Sequence, residues 1–397
     1  MKTNSRATKS GLPPNEDDTR AAPRLRREER RKRRCRRRRT VGGVFVLLVA
    51  VCVGLVIILG GELSASGMRA AIVRVTGKTA REMTLIAGYD RAFADLRFAV
   101  VSAGASGVAV TDLSGETVAH QAISLSEAAV TSNGKLAAAY TVGGSDVVLA
   151  DRHGIGARIL TESKILAVSV ADGGYVAVTT AEIDGYRGVV TLYRVRGDSV
   201  EVKFRWRAGT GFPFAAAASS DGKYLATLSL GSSGGRIVVF RTSSENPIAE
   251  VTYPETIVEL AFIDGDTIIA RTRTKLLRIT VNGAVTELYA SEGEITGYAV
   301  GSNYAAVAET GYDGLTNLVT VMSDGAVNYA SITFERPVSL RTANGAITLL
   351  TDTTLYVFGN AKLTRFTEYD APNSLDAFPR GGDNAIAFGE RGARVFG

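Results

Sequence analysis

Cysteine is nearly missing from this chain: there are two, Cys35 and Cys52, and none follows in the rest of the sequence. Disulfides therefore cannot staple the C-terminal part, which must be held by its own apolar core, and thiol nucleophiles and thiolate metal sites have no residues to use there. Histidine is as scarce, with only His120 and His153, so Ser-His-Asp chemistry lacks machinery. A two-histidine metal site would need carboxylates at a fixed short spacing, and none stands beside either histidine. No metal or cofactor is expected. After residue 61 there is also no Asn-x-Ser/Thr acceptor and no amphipathic helical pattern of useful length. The first absence, with the missing cysteines, points to a bacterium with one cell membrane.

Charge is lacking in one stretch only. Val41 to Gly61 are 21 consecutive uncharged residues, 14 of them Val, Leu, Ile or Phe. A helix rising about 1.5 Å per residue crosses the roughly 30 Å hydrocarbon layer in about 20 residues, so the run is long enough to span. Residues 1–40 carry 16 of the 46 Lys and Arg against 5 of the 40 Asp and Glu, a net of +11, and the remainder nets −5. Positive charge flanking a span stays in the cytoplasm, which predicts a single-pass cell-membrane protein with its N-terminus inside and its C-terminal domain outside. A cleavable signal peptide fits less well, since its apolar core is shorter and its basic start does not run to 40 residues. The guanidinium groups of Arg33 to Arg39 would attract phosphates, but beside a span they read as a topology signal touching anionic lipid rather than as a nucleic-acid site.

The expected organisation is a disordered, Arg-rich tail over 1–40, a transmembrane helix over 41–61, a juxtamembrane linker over 62–81 and a folded domain over 82–397. In that last part, apolar runs of five to seven residues alternate with Gly, Asp, Asn and Ser turns, the pattern of an all-β chain. The turns are periodic. Asn133-Gly134, Asp172-Gly173, Asp221-Gly222, Asp264-Gly265, Gly301, Asn344-Gly345 and Gly382 each precede an apolar strand, and their glycines step by 39, 49, 43, 36, 44 and 37 residues. Asx-Gly is the strongest short hairpin signal because tight turns matched to strand twist need positive φ. A second series, from Ser114-Gly115 and His153-Gly154 to Asp324-Gly325 and Gly359-Asn360, runs about half a period out of phase. Two hairpins per repeat make four strands, and four-stranded sheets recurring about every 40 residues are the blades of a β-propeller. After Ser374 only three strands remain, and Glu82 to Gly88 supplies a spare one. If it completes the last blade the count is eight, with seven the alternative.

The motif Ser219-Ser220-Asp221-Gly222-Lys223-Tyr224-Leu225-Ala226 resembles the hairpin signature of WD40-like bacterial propellers. The layout of Arg-rich tail, single span and divergent propeller resembles an uncharacterised family of clostridial-type membrane proteins, a domain of unknown function. The Trp-Asp pairs of true WD40 blades are missing, since Trp206 is the sole tryptophan. The same scarcity argues against sialidase-type Asp boxes and quinone-cofactor propellers, which repeat tryptophan blade by blade.

In a propeller the turns counted above share one face. The opposite face, carrying the links between second and third strands and between blades, is the expected binding face. There the loops Glu182, Asp184, Tyr186, Arg187 and Glu309, Tyr312, Asp313 resemble each other three blades apart, with Tyr253, Glu255, Phe212, Phe214, Phe334, Arg336 and Asp370 nearby. Rings beside carboxylates suit a protein partner or a cell-envelope polymer. The expectation is a binding or scaffold module. The alternative is an envelope hydrolase using paired carboxylates on glycan or peptide.

Overall fold

The computed structural model describes residues 82–85 and 92–397 apart from 232, 233 and 391. The expected tail, span and linker lie outside the described residues, and no helix among those described is long and apolar enough to cross a membrane. What is described is all-β: eight four-stranded antiparallel sheets, each a blade, and one 3-10 turn at Asp172–Gly174.

Blades 1 to 7 span 92–122, 128–160, 165–207, 212–253, 259–290, 294–333 and 337–370, and in each the strands pair in sequence order from the innermost outward. Successive innermost strands are neighbours except those of blades 5 and 6, which meet through Ile269, Leu276, Ile295 and Val307, and the innermost strand of blade 8, Ser374–Gly381, touches that of blade 1, Ala92–Asp95, so the sheets form a closed ring. Blade 8 takes three strands from the C-terminus and its fourth, Glu82–Thr84, from the start of the domain, with Glu82, Met83 and Thr84 opposite Arg394, Ala393 and Gly392. The spare strand expected at Glu82 thus completes the eighth blade. It covers the edge of Gly392–Phe396, where an unpaired row of N–H and C=O groups would invite another chain, and leaves blade 8 with an outer strand of only three residues.

The strands expected after the periodic turns are present, as with Tyr224–Gly231 and Tyr304–Thr310, and the spare strand expected over Glu82 to Gly88 is described as Glu82–Thr84. In blades 1 to 7 the second and third strands are largely buried on both faces, which is why their sequences are nearly continuous in Val, Leu, Ile and Ala rather than alternating. Between sheets these residues pack as separate two-blade clusters, such as Ala226, Leu228, Ile237, Ile268 and Ile279 between blades 4 and 5.

The periodic turns owe their signal to a side chain. In the Ser219-Asp221-Lys223 hairpin, the Asp221 carboxylate accepts the Lys223 N–H at 3.0 Å and the Ser219 hydroxyl at 2.8 Å, and the Ser219 Oγ accepts the Tyr224 N–H at 3.0 Å. The Lys223 ammonium, 2.7 Å away, comes first among the groups that hold the Asp221 carboxyl down at about 2. Asn133, Asp264 and, in the other series, Asp112, Asp151 and Asp324 cap their turns in the same way. Gly222 turns at φ +68° directly over the Tyr175 ring of blade 3, where any Cβ would overlap it.

Blade 1 departs from the pattern. Its first turn has no glycine: Arg97 itself adopts φ +65°, held by its N–H bonding to Asp95 Oδ1 at 3.2 Å. The buried Asp95 also meets Arg380 of blade 8 in an ion pair at 2.8 Å that lies off the N–H axis, while a second Arg380 nitrogen donates to the Arg97 carbonyl at 2.6 Å. Burial pushes the Asp95 carboxyl up more than Arg380 and the neighbouring N–H groups pull it down. One seam earlier, Arg341 of blade 7 grips Asp376 of blade 8 through two nitrogens at 3.1 and 2.8 Å. Both ion pairs flank the blade that the distant strand completes.

Candidate binding face

The links between second and third strands and those between blades emerge together at the opposite end of the sheets from the Asx turns. Glu182, Asp184, Tyr186 and Arg187 lie on such a link in blade 3. It is a miniature hairpin: Ile183 and Tyr186 exchange backbone hydrogen bonds at 3.2 and 2.9 Å across Asp184 (φ +51°) and Gly185 (φ +81°). Asp-Gly permits two successive positive φ values, so two residues make the whole turn. The Tyr186 ring is half-exposed with the Arg207 guanidinium 5.8 Å from its centroid, and Arg187 sits 5.3 Å from the centroid of exposed Phe212. Cation–π pairs at exposed sites contribute about 0.5–1 kcal/mol, less than the entropy cost of fixing an arginine, so these contacts bias the side chains toward the rings without locking them.

The equivalent link in blade 6 is Gly311 to Leu315. It bonds to itself, through Gly311 N–H to the Leu315 carbonyl, Gly314 N–H to the Gly311 carbonyl, and Leu315 N–H to Asp313 Oδ1, at 3.0, 3.0 and 2.9 Å. The result holds Tyr312 100% exposed. Phe334, on the link into blade 7, is 75% exposed. Blades 3 and 6 thus carry the same arrangement, a tyrosine on the strand link and a phenylalanine on or just beyond the next connection. No hydrogen bond, ion pair or ring contact joins the two sets among the described residues.

Glu309 differs from the loop acid the sequence suggested. It is the penultimate residue of the strand Tyr304–Thr310 and only 5% exposed, and it accepts from the Tyr289 hydroxyl at 2.7 Å and the Ser291 hydroxyl at 2.5 Å. Burial and this carboxylate push the Tyr289 phenol well above its usual value. Glu309 belongs to a clasp found at several blades. On the connection into blade 5, Glu255 accepts from Thr272 at 2.8 Å and pairs with Lys275 at 3.1 Å. Into blade 7, Glu335 accepts from Thr351 and from Thr353 at 2.7 Å. In blade 3, Ser163 donates to the Glu182 carbonyl at 3.1 Å. Each pins an interblade connection to the next strand link; in blades 3 and 6 the hydroxyl sits on the connection and the glutamate on the link side. Glu255 is therefore a clasp residue more than a presented one, and Phe214 packs, half-buried, against the cluster between blades 4 and 5.

Sequence reading missed the clasps because their partners lie 16 to 20 residues apart and meet only when the blade folds. It missed a bulge as well. In blades 3, 4, 6, 7 and 8 the innermost strand inserts one extra residue near its start: Leu166, Phe214, Thr296, Val338 and Leu375. A bulge re-aims a side chain, and Leu166, Val338 and Leu375 are each more than a third exposed. His120 lies on the outer strand Thr117–Ala122 of blade 1 and His153 in a turn of blade 2; no cluster of three or more potential metal ligands forms among the described residues.

Residues 74–388 match DUF5711, described as a family of unknown function. The chain belongs to that family. A comparison with curated proteins finds no match. Among solved structures, this DUF5711 member is similar in fold to Sqt1 of Saccharomyces cerevisiae, at 13% identity and a TM-score of 0.60, covering 80% of this chain and 98% of that one. It is also similar to Sqt1 of Chaetomium thermophilum bound to the N-terminus of the ribosomal protein L10, at 12% identity and a TM-score of 0.57, covering 80% and 99%. At such identities the likeness establishes the propeller fold of DUF5711 and no more.

Proposed function

We propose that this DUF5711 chain is a membrane-anchored, extracytoplasmic scaffold that binds a protein partner of the cell envelope through the face bearing Tyr186, Tyr312, Phe212 and Phe334. The observation that carries the reading is Tyr312: a fully exposed ring on a loop fixed by three hydrogen bonds of its own. The three bonds order the loop backbone before any partner arrives, so a partner that buries the ring avoids the cost of ordering the loop at binding. A propeller of similar fold, Sqt1, is seen bound to the N-terminus of L10, which supports a protein segment as the ligand. Membrane anchoring rests on the sequence, on the uncharged run 41–61 beside a tail of net charge +11. Hydrolysis has no comparable support, since Glu309 is bonded to hydroxyls rather than set against a second carboxylate.

Two measurements test the reading. Protease added to intact spheroplasts should remove the propeller and leave the tail; a protected propeller refutes the orientation, and a mature chain starting near Ser66 refutes the anchor. Replacing all four rings by alanine should abolish recovery of the parent's crosslinked envelope partner while leaving the melting midpoint unchanged. Recovery equal to the parent's moves the function to another surface.

A further inference from the structure

The two aromatic sets sit in different electrostatic settings. Around Tyr186 and Phe212 two exposed acids, Glu182 and Asp184, are matched by two cations, Arg187 and Arg207, both set against the rings. Around Tyr312 and Phe334 acids outnumber cations. A hydrogen-bonded strip ties this second sector together: Thr316 at the end of the Tyr312 loop donates to the Glu335 carbonyl at 3.1 Å, the Glu335 carboxylate accepts from Thr351 and Thr353, and the Ala371 N–H bonds to the Thr353 carbonyl at 2.8 Å. Mounted on that strip are the exposed acids Asp313, Asp352 and Asp370, which form no ion pair among the described residues, and one cation, Arg336. The bulge residues Val338 and Leu375 add exposed apolar surface on the innermost strands below.

We infer that this strip over blades 6 and 7 is a docking site for an extended, basic segment of polypeptide. Tyr312 and Phe334 would cover its apolar side chains, and Asp313, Asp352 and Asp370 would meet its lysines or arginines. Carboxylates without cationic partners beside exposed rings repel phosphate polymers and other acidic chains, and they attract cations over a range set by salt. The backbone of the strip is already bonded internally, so an incoming segment finds both rings and acids in place. This inference rests on reading the connection face as the binding face and narrows it to one sector and one partner chemistry.

The test uses the full-length chain in detergent and a fluorescein-labelled peptide of alternating lysine and leucine, with the glutamate–leucine peptide of the same length as control. The lysine peptide should bind, and more weakly as salt rises. Tyr312→Ala with Phe334→Ala should weaken it on the order of 10- to 100-fold. Asp313→Asn, Asp352→Asn and Asp370→Asn together should weaken it about tenfold at low salt, and since the first of these substitutions keeps an Oδ1 to accept the Leu315 N–H, the loop is preserved. Thermal midpoints of both variants should match the parent. No binding by the parent, or variants that bind as tightly as it does, overturns the inference. So does binding of a neutral chito-oligosaccharide that the ring variants lose, which assigns the strip to glycan instead. An envelope partner that needs Tyr186 and Phe212 but not Tyr312 and Phe334 leaves the scaffold reading standing and removes this one.

Discussion

Met83→Ala asks whether three residues at the start of the domain hold the ring shut. Met83 is 3% exposed, centred in the strand that completes blade 8, and packs in one cluster with Leu85, Phe93, Val100, Ile386 and Phe388. Its side chain also reaches the turn of blade 1, where a Cβ on Gly115 would stand 3.6 Å from its Cγ. The cluster draws on blades 8 and 1, and Phe93 and Phe388 stack across it at 4.7 Å. Truncating a buried Met to Ala costs about 2–5 kcal/mol, the spread depending on how far the site collapses. For a domain of this size, unfolding entropy of about 2.1 cal/mol/K per residue turns each kcal/mol into roughly 1.5 °C, so the apparent melting midpoint should fall by about 3–8 °C. Thr84→Ala, at an exposed position in the same strand, should shift it by under about 1 °C. Removing residues 1–85 should do more, lowering the midpoint further and producing dimers through the edge of Gly392–Phe396, visible by light scattering. A Met83→Ala protein that melts with the parent, together with a monomeric truncation, would show that the ring does not depend on this strand.

The Asp95–Arg380 pair gives a second test of the same seam: Asp95→Ala should cost about 3–5 kcal/mol by stranding a buried guanidinium, and a double-mutant cycle with Arg380→Ala should show clear coupling by denaturant melts. Additive effects would remove the pair from the closure. Hydrogen bonds from Thr351 and Thr353 hold the Glu335 carboxyl below the usual range, so its contribution is complete above the unfolded value of about 4.3 and is lost as pH falls through the lower folded one. Glu335→Gln should flatten that part of the acid limb in pH-dependent melts. Gly222→Ala combines positive φ with overlap on the Tyr175 ring and should destabilise by about 2 kcal/mol or more, whereas Gly325→Ala, with open space around it, should cost only its backbone strain.

The propeller was legible because its turns need Asx and Gly for reasons independent of neighbours. Asp221 caps its own hairpin, Gly222 supplies the positive φ, and the period follows. Blade 1 was harder to see, since Arg97 takes the left-handed conformation that glycine takes elsewhere and Asp95 is fixed by a residue nearly three hundred positions away. The loops at Glu182 to Arg187 and Glu309 to Asp313 stood out by resembling each other, and the structure puts Asp184, Tyr186, Tyr312 and Asp313 on links at one face. Glu309 could not be placed from sequence, because its burial is decided by Tyr289 and Ser291 of the preceding blade and connection. Nor could Val338 and Leu375, whose exposure comes from a bulge that breaks the alternation a strand pattern relies on.

Completion of the eighth blade by Glu82–Thr84 has a mechanical consequence. Tension arriving along the chain from its N-terminal side reaches this strand before any other part of the domain, and only three residue pairs join it to the rest. Under load the strand should detach first, before blades 1 to 7, and on slackening should re-pair beside Gly392; force spectroscopy that shows the whole domain unravelling in one step would refute this. The domain's weakest link is therefore also its connection to whatever precedes it, placed so that a pull opens one blade reversibly instead of unravelling eight.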